Sequence, residues 1–255
     1  MIPGLLLDLA VGFTIGLTLG LLGGGGSILT VPALVYLAGL SPAAAVTTSL
    51  AIVGTNSLIG ATIHGRQGRL NGRVALVFGG AGMVVAYLAA GLSRLFTPSA
   101  LLVAFATLMA VIGGLMISGK TRSAKADPDR PPNWPITLAA GAGVGLLTGI
   151  LGVGGGFLIV PALVMLVGLP MQEAVGTSLL VIAANSLAGL LGHLGGEMPD
   201  LMLLIVFGAA GVFGIGGGTW LAQRVPAARL QQGFAVFVLG IAAFLLFDNL
   251  PKLLA

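Results

Sequence analysis

The chain has 255 residues, 57% of them hydrophobic and only 7% charged, with a mean hydropathy of +1.11. Soluble domains carry roughly 25% charged residues, so this chain has too few charges to coat a water-facing surface, and lipid is the natural solvent for most of it. The lack of cysteine excludes disulfides, thiolate metal sites and a cysteine nucleophile, and the net charge of +4 is spread over short loops rather than gathered into a nucleic-acid patch.

Residues 1–22 open the chain. A secretory leader needs a basic start, whereas Met1–Leu9 contains Asp8 and no Lys or Arg, so residues 5–22 are expected to be a first membrane helix. Further apolar stretches follow at about 27–39, 42–64, 72–93 and 98–118. The segment TRSAKADPDRPPN, 121–133, is long, polar and rich in proline, and reads as an exposed linker. Beyond it the apolar stretches resume at about 135–151, 156–168, 171–193, 200–222 and 228–249.

These ten stretches are two copies of five. With an offset of 129, Gly23–His64 aligns without a gap on Gly152–His193, with 22 of 42 positions identical. The register extends to Gly16/Gly145, Gly20/Gly149, Phe78/Phe207 and Phe105/Phe234, so a whole unit is duplicated. The expected organisation is unit one over 1–119, a cytoplasmic linker over 120–134 and unit two over 135–255. Four stretches per unit approach the ~20 residues a spanning helix needs. The second stretch is shorter and follows a glycine run, Gly23–Gly26 in one unit and Gly152 with Gly154–Gly156 in the other. Four extended glycines would add about 13 Å and, with a half-helix, just cross the bilayer core. Such a break must be buried in protein or line a wet cavity.

Charge sets the orientation. Arg66, Arg69 and Arg73 fill the loop after the third segment of unit one, whereas the matching loop of unit two, Leu194–Asp200, holds Glu197 and Asp200. Lys120, Arg122, Lys125 and Arg130 lie in the linker, and Arg224 and Arg229 in the loop 223–229. Basic short loops face the cytoplasm. Loop 65–73, the linker and loop 223–229 are therefore expected inside, with loop 194–200 and both termini outside; Arg94 is the exception. The fold class expected is all-α: a polytopic transmembrane helical bundle, an inverted-topology repeat of two five-segment units with broken helices after glycine-rich runs.

A helix that begins after a glycine run aims unpaired amides at whatever lies there, and its dipole favours an anion. Inversion would bring two such starts together at mid-membrane, making Gly23, Gly24, Gly25, Gly26, Ser27, Gly154, Gly155 and Gly156 candidates for a substrate site. The alternative is that the glycines only permit close helix packing. The third segments repeat Thr48-Ser49 as Thr177-Ser178, and Asn56-Ser57 as Asn185-Ser186. Thr48, Ser49, Asn56, Thr177, Ser178 and Asn185 either line a path or hydrogen-bond between helices. His64 and His193 end the third segments, where a histidine can cap the helix or take part in gating or proton coupling. No acidic or basic residue sits near the centre of any segment, which argues against a divalent-metal carrier. No metal site or cofactor is expected.

The run G-x-G-G-G-x-x-x-V-P-A-L, then G-T-S-L and N-S, then a helix ending in His with a short charged loop, resembles the TauE/SafE family of sulfite exporters. The closest stretch is GVGGGFLIVPALVMLVGLPMQEAVGTSLLVIAANS; the first copy departs at Thr47, where the second has Gly176. The HGRQGRLNGR loop after His64 is also similar. The resemblance covers nearly the whole chain. It implies transport of sulfite or a related organosulfonate across the inner membrane, with the glycine-run and Thr-Ser positions at the substrate site. A homo-oligomer is compatible with it. The residues by themselves support a small anion, with carriage of another solute, a non-transporting membrane anchor and an intramembrane enzyme as alternatives. An enzyme lacks a complete set, since neither Ser–His–Asp nor H-E-x-x-H is present, and neither Gly152–Gly156 nor Gly214–Gly218 has the strand–turn–helix setting of a dinucleotide loop.

Overall fold

The computed structural model describes residues 2–89, 98–118, 133–151, 156–192 and 199–254. Among these residues ten α-helices follow in order: α1 (Ile2–Leu22), α2 (Gly25–Tyr36), α3 (Pro42–Arg66), α4 (Gly72–Ala89), α5 (Pro98–Ile117), α6 (Trp134–Leu151), α7 (Gly156–Ala162), α8 (Met171–Gly192), α9 (Leu201–Arg224) and α10 (Ala227–Leu254). There is no strand among the described residues. Among the described residues six helices are long and apolar enough to cross a membrane, namely α1, α3, α4, α8, α9 and α10, while α5, α6 and the α7 region contribute shorter apolar stretches.

The surface carries many large apolar side chains, and an apolar core encloses a set of polar groups. Leu76, Tyr87, Phe213 and Phe247 project outward, whereas Thr30, Thr48, Asn56, Thr177, Ser178 and Thr219 are buried. In water such an arrangement would expose a large apolar patch; in lipid it leaves each polar group to find its partner inside.

The two copies are interleaved. The first helix of each packs against the fourth of the other, α1 on α9 and α6 on α4. Both contacts rest on glycine. A side chain on Gly16 would overlap the backbone of Gly211, and one on Gly145 that of Gly82. These pairs exchange when 129 is added, as do Gly12 against Phe207 and Gly141 against Phe78. Without a hydrophobic drive between helices in lipid, close backbone approach supplies the packing energy. Gly214 and Gly218 serve the same purpose against Phe13, Leu17 and their neighbours on α1. That explains a glycine run which is no nucleotide loop.

The third helices pair with each other. Gly54 meets Ser186, Gly60 meets Leu179 and Gly189 meets Leu50, so α3 and α8 run antiparallel. Both short helices end alike. Gly39 (φ 72°) and Gly168 (φ 83°) adopt the left-handed conformation, and Leu40 and Leu169 donate back to the carbonyls of Leu34 and Leu163 at 3.1 and 2.9 Å, a Schellman closure. In α7 the end loosens: Pro161 has no amide hydrogen, and Leu163–Val167 continues as a π turn.

Candidate substrate site

The first glycine run is a tight reversal, which corrects the extended spacer expected from sequence. Gly23 (φ 80°) donates to the Leu19 carbonyl at 2.8 Å and Gly24 to that of Leu22 at 3.0 Å. Gly25 and Gly26 already belong to α2, which folds back on α1: a side chain at Gly26 would stand 2.7 Å from Leu19 Cγ and 2.9 Å from Thr18 Oγ1. The reason is hydrogen bonding. Four extended residues would strand their backbone groups in a medium without water, and a helix satisfies them internally. The reversal lies within the bundle. Gly12, Gly16 and Gly20 stand level with Phe207, Gly211 and Ile215, so α1 ends level with the region near residue 217, and α9 continues about 10 Å further to Arg224.

The two short helices start side by side. Ser27 and Gly156 are counterpart positions of the repeat, and they meet: a side chain on Gly156 would stand 2.7 Å from Ser27 Oγ and 3.3 Å from the Gly24 carbonyl. Gly24 is the N-cap of α2 and provides no side-chain acceptor, while Ser27 Oγ donates to the Gly24 carbonyl at 2.8 Å. Gly23 lies against Ser178, whose Oγ a new Cβ would approach to 2.6 Å, and against Val160. Gly23, Gly24, Ser27, Gly156 and Ser178 thus form one neighbourhood, to which Gly25 and Gly26 belong by position. Ile182 closes it on one side, 3.1 Å from where a Gly156 side chain would begin. Gly154, Gly155 and His193 lie outside the described residues.

Thr48 and Thr177 stand toward opposite ends of the bundle, Thr177 beside the junction residue Ser178, and each fastens the two copies together. Thr48 Oγ1 accepts from the Asp200 amide and Thr177 Oγ1 from the Asn71 amide, both at 3.0 Å. Asp200 and Asn71 in turn cap α9 and α4, accepting from Leu203 and Val74 at 3.0 and 3.1 Å. Ser49 is buried, and Ser178 Oγ donates to the Val175 carbonyl at 2.8 Å.

Asn56 and Asn185 lie level with the middle of the α3–α8 pair, in unlike settings. Asn56 is fully buried, its amide presses on Gly211, and neither amide atom has a partner. Asn185 is exposed and lines a small cleft with Phe78, Gly82, Gly145 and Thr148. A buried amide without partners costs about 1–3 kcal/mol, so Asn56 marks a place where stability is spent. His64, 1% exposed, also has no partner on either ring nitrogen. Two larger apolar grooves of about 440 and 450 Å³ open on the bundle surface, one between α3 and α8 and one along α5, α6 and α7; neither is lined by the residues of the junction.

Sequence reasoning read Arg69 only as a marker of orientation and did not single out Thr219, whose buried hydroxyl has no partner. The available signal was the departure at Thr47/Gly176. Gly176 is glycine because the Arg69 carbonyl and His64 Cβ occupy the space a side chain would need.

A helical bundle that is apolar outside and encloses polar groups in its core, with a helix broken between membrane-crossing segments, is the build of a polytopic membrane transporter. Comparison with known proteins agrees. A family model described as "Sulfite exporter TauE/SafE" matches residues 8–245, and the chain belongs to that family. It is 33% identical over 259 residues to a "Probable membrane transporter protein" of Xylella fastidiosa, covering 100% of this chain and 99% of that protein. It is 26% identical to "Probable membrane transporter protein YdhB" of Bacillus subtilis, over 94% of this chain and 99% of that one. Against "Probable membrane transporter protein MJ0441" of Methanocaldococcus jannaschii the identity is 30%, over 72% and 70% of the two chains. No solved structure matches.

Proposed function

We propose that this transporter exports a small anion, sulfite or a related organosulfonate, across the inner membrane, and that the substrate binds where the starts of α2 and α7 meet. The observation that carries the reading is the contact of Ser27 with Gly156 beside a helix start whose N-cap has no side-chain acceptor. Peptide amides and a helix dipole there would favour negative charge, with no fixed cation to hold it too tightly. Ser178 borders this junction, and in this reading Asn56 and Asn185 would flank the substrate's route at mid-depth.

The antiparallel α3–α8 pair supports units 1–119 and 135–255 as inverted repeats. Arg66, Arg69, Arg73, Arg224 and Arg229 share one end of the bundle and Asp200 stands at the other, which supports the basic end and the linker 120–134 as cytoplasmic, with both termini outside. Outward movement of an anion is then favoured by an inside-negative potential, at ~2.3 kcal/mol per charge per 100 mV.

The test is flux in proteoliposomes with sulfite, sulfate, a sulfonate and chloride, under an imposed potential. Sulfite or sulfonate flux that rises with inside-negative potential is expected. A protein that moves none of the four overturns the reading.

A further inference from the structure

Counterpart positions of the repeat should have like surroundings, and at two places they do not. The first is the asparagine pair. Asn56 of α3 reaches across to α9: it is fully buried, and a side chain on Gly211 would overlap its amide Nδ2 and stand 3.0 Å from its Cγ. Gly211 is also the residue against which Gly16 of α1 packs. The equivalent socket lies between α4 and α6, where Gly145 packs on Gly82, and Asn185 is not seated in it. A side chain on Gly82 would meet the Gly141 carbonyl at 3.1 Å and no atom of Asn185. Asn185 is exposed and borders, with Gly82, Gly145 and Thr148, an open cleft of about 20 Å³. That is room for about one water-sized group, such as an amide nitrogen.

The second place is the seam between α3 and α8. Its groove of about 440 Å³ is lined by Leu50, Leu190 and Leu204, which are half-buried, whereas their counterparts Leu179, Ala61 and Ala75 are buried. Leu190 lies near the end of α8, and Leu204 in the first turn of α9 beside Asp200. Ala61 and Ala75 hold the matching places on α3 and α4, near Arg66 and Arg73. The seam is thus open toward the Asp200 end and closed toward the arginine end, although two of the closed positions carry alanine in place of leucine.

Packing alone holds Asn56 in its socket. Neither of its amide atoms has a partner, so leaving breaks no hydrogen bond. Asn185 would gain a bond on entering the other socket. Thr148 Oγ1 donates to the Gly145 carbonyl at 3.1 Å and keeps the capacity to accept from an amide N–H. The position equivalent to Thr148 beside Asn56 is Leu19, which offers no acceptor. A duplicated chain whose copies adopt unlike conformations has a second state in which the copies trade them.

We propose that Asn56 and Asn185 are alternating latches of that exchange. The structure holds the state with Asn56 seated on Gly211. In the other state Asn56 leaves, Asn185 seats on Gly82, and the α3–α8 seam closes toward the Asp200 end and opens toward the arginine end. The latch rests on the two units being inverted repeats; its coupling to anion movement rests in addition on the transport reading.

The chain has no cysteine, so single cysteines at counterpart positions report on the seam. Leu190→Cys and Ala61→Cys are each labelled with N-ethylmaleimide in the full chain in detergent, and anion flux is followed in proteoliposomes. Labelling tracks the population of the state that opens each site, so Leu190→Cys should react roughly tenfold faster than Ala61→Cys. Adding Asn56→Ala should speed labelling at Ala61→Cys about threefold without speeding it at Leu190→Cys. Adding Thr148→Val, which keeps the shape and removes the acceptor, should slow labelling at Ala61→Cys about threefold. If Asn56→Ala does not purify, Thr148→Val decides alone. Rates that stay unchanged in the deciding variants, or rise alike at both reporters, overturn the latch, and leave the anion reading standing if flux is normal. The expected shifts in a protein that carries no flux of sulfite, sulfonate, sulfate or chloride uphold the latch and remove the transport reading.

Discussion

Replacing Gly23 by alanine should separate two physical effects at the reversal between α1 and α2. Gly23 has φ 80°, and a new Cβ would stand 2.6 Å from Ser178 Oγ, 2.9 Å from Val160 Cγ2 and 3.1 Å from Val175 Cα. The left-handed conformation costs an L-residue about 1–2 kcal/mol, and overpacking adds about 1–3 kcal/mol, for a total near 2–5 kcal/mol. Gly39 is the control: its φ is 72°, but nothing lies within 4 Å of its would-be side chain, so Gly39→Ala should cost only about 1–2 kcal/mol. For a chain of this size 1 kcal/mol shifts the melting temperature by roughly 2–4 °C, which puts the two variants several degrees apart. Adding Ser178→Ala to Gly23→Ala removes the closest overlap and should restore about 1 kcal/mol, seen as coupling in a double-mutant cycle. The assay is thermal unfolding in detergent, with anion flux measured on the same preparations. Flux should fall in Gly23→Ala and persist in Gly39→Ala. Equal stability of the two single variants, or no coupling to Ser178, would refute the steric account of this turn.

Other outcomes follow from the same contacts. Gly16→Val should block the approach of α1 to Gly211 and leave little monodisperse protein on size exclusion, whereas Gly80→Val, with nothing near its would-be side chain, should purify normally. Asp200→Ala removes the cap of α9 and should lower stability by about 1 kcal/mol; an unchanged melting temperature would mean that this end of α9 is held by other contacts. Reporter fusions should put residue 125 in the cytoplasm and residue 197 outside, and finding both on one side would refute the inversion.

Much of this molecule is determined by sequence alone. Local hydropathy is enough to mark the helices, and boundaries such as 72 for α4, 156 for α7 and 171 for α8 fall at the residues where the apolar stretches begin. The 129-residue offset identifies counterpart positions before any contact is known, and the polar Thr48, Asn56, Thr177 and Ser178 stand out against an apolar chain and prove to be buried. The tertiary structure decided which partner each position meets. Helices that are apolar nearly all round carry little information about which face seeks which neighbour, so the crossing of α1 on α9 by way of Gly16 and Gly211 was not legible. Neither was the work of Thr48 and Thr177, whose partners Asp200 and Asn71 are more than a hundred residues away. The glycine run illustrates the division. Its composition announces a break in the helix, but whether two residues or four leave it depends on the requirement that buried backbone groups stay paired, and that depends on what surrounds them.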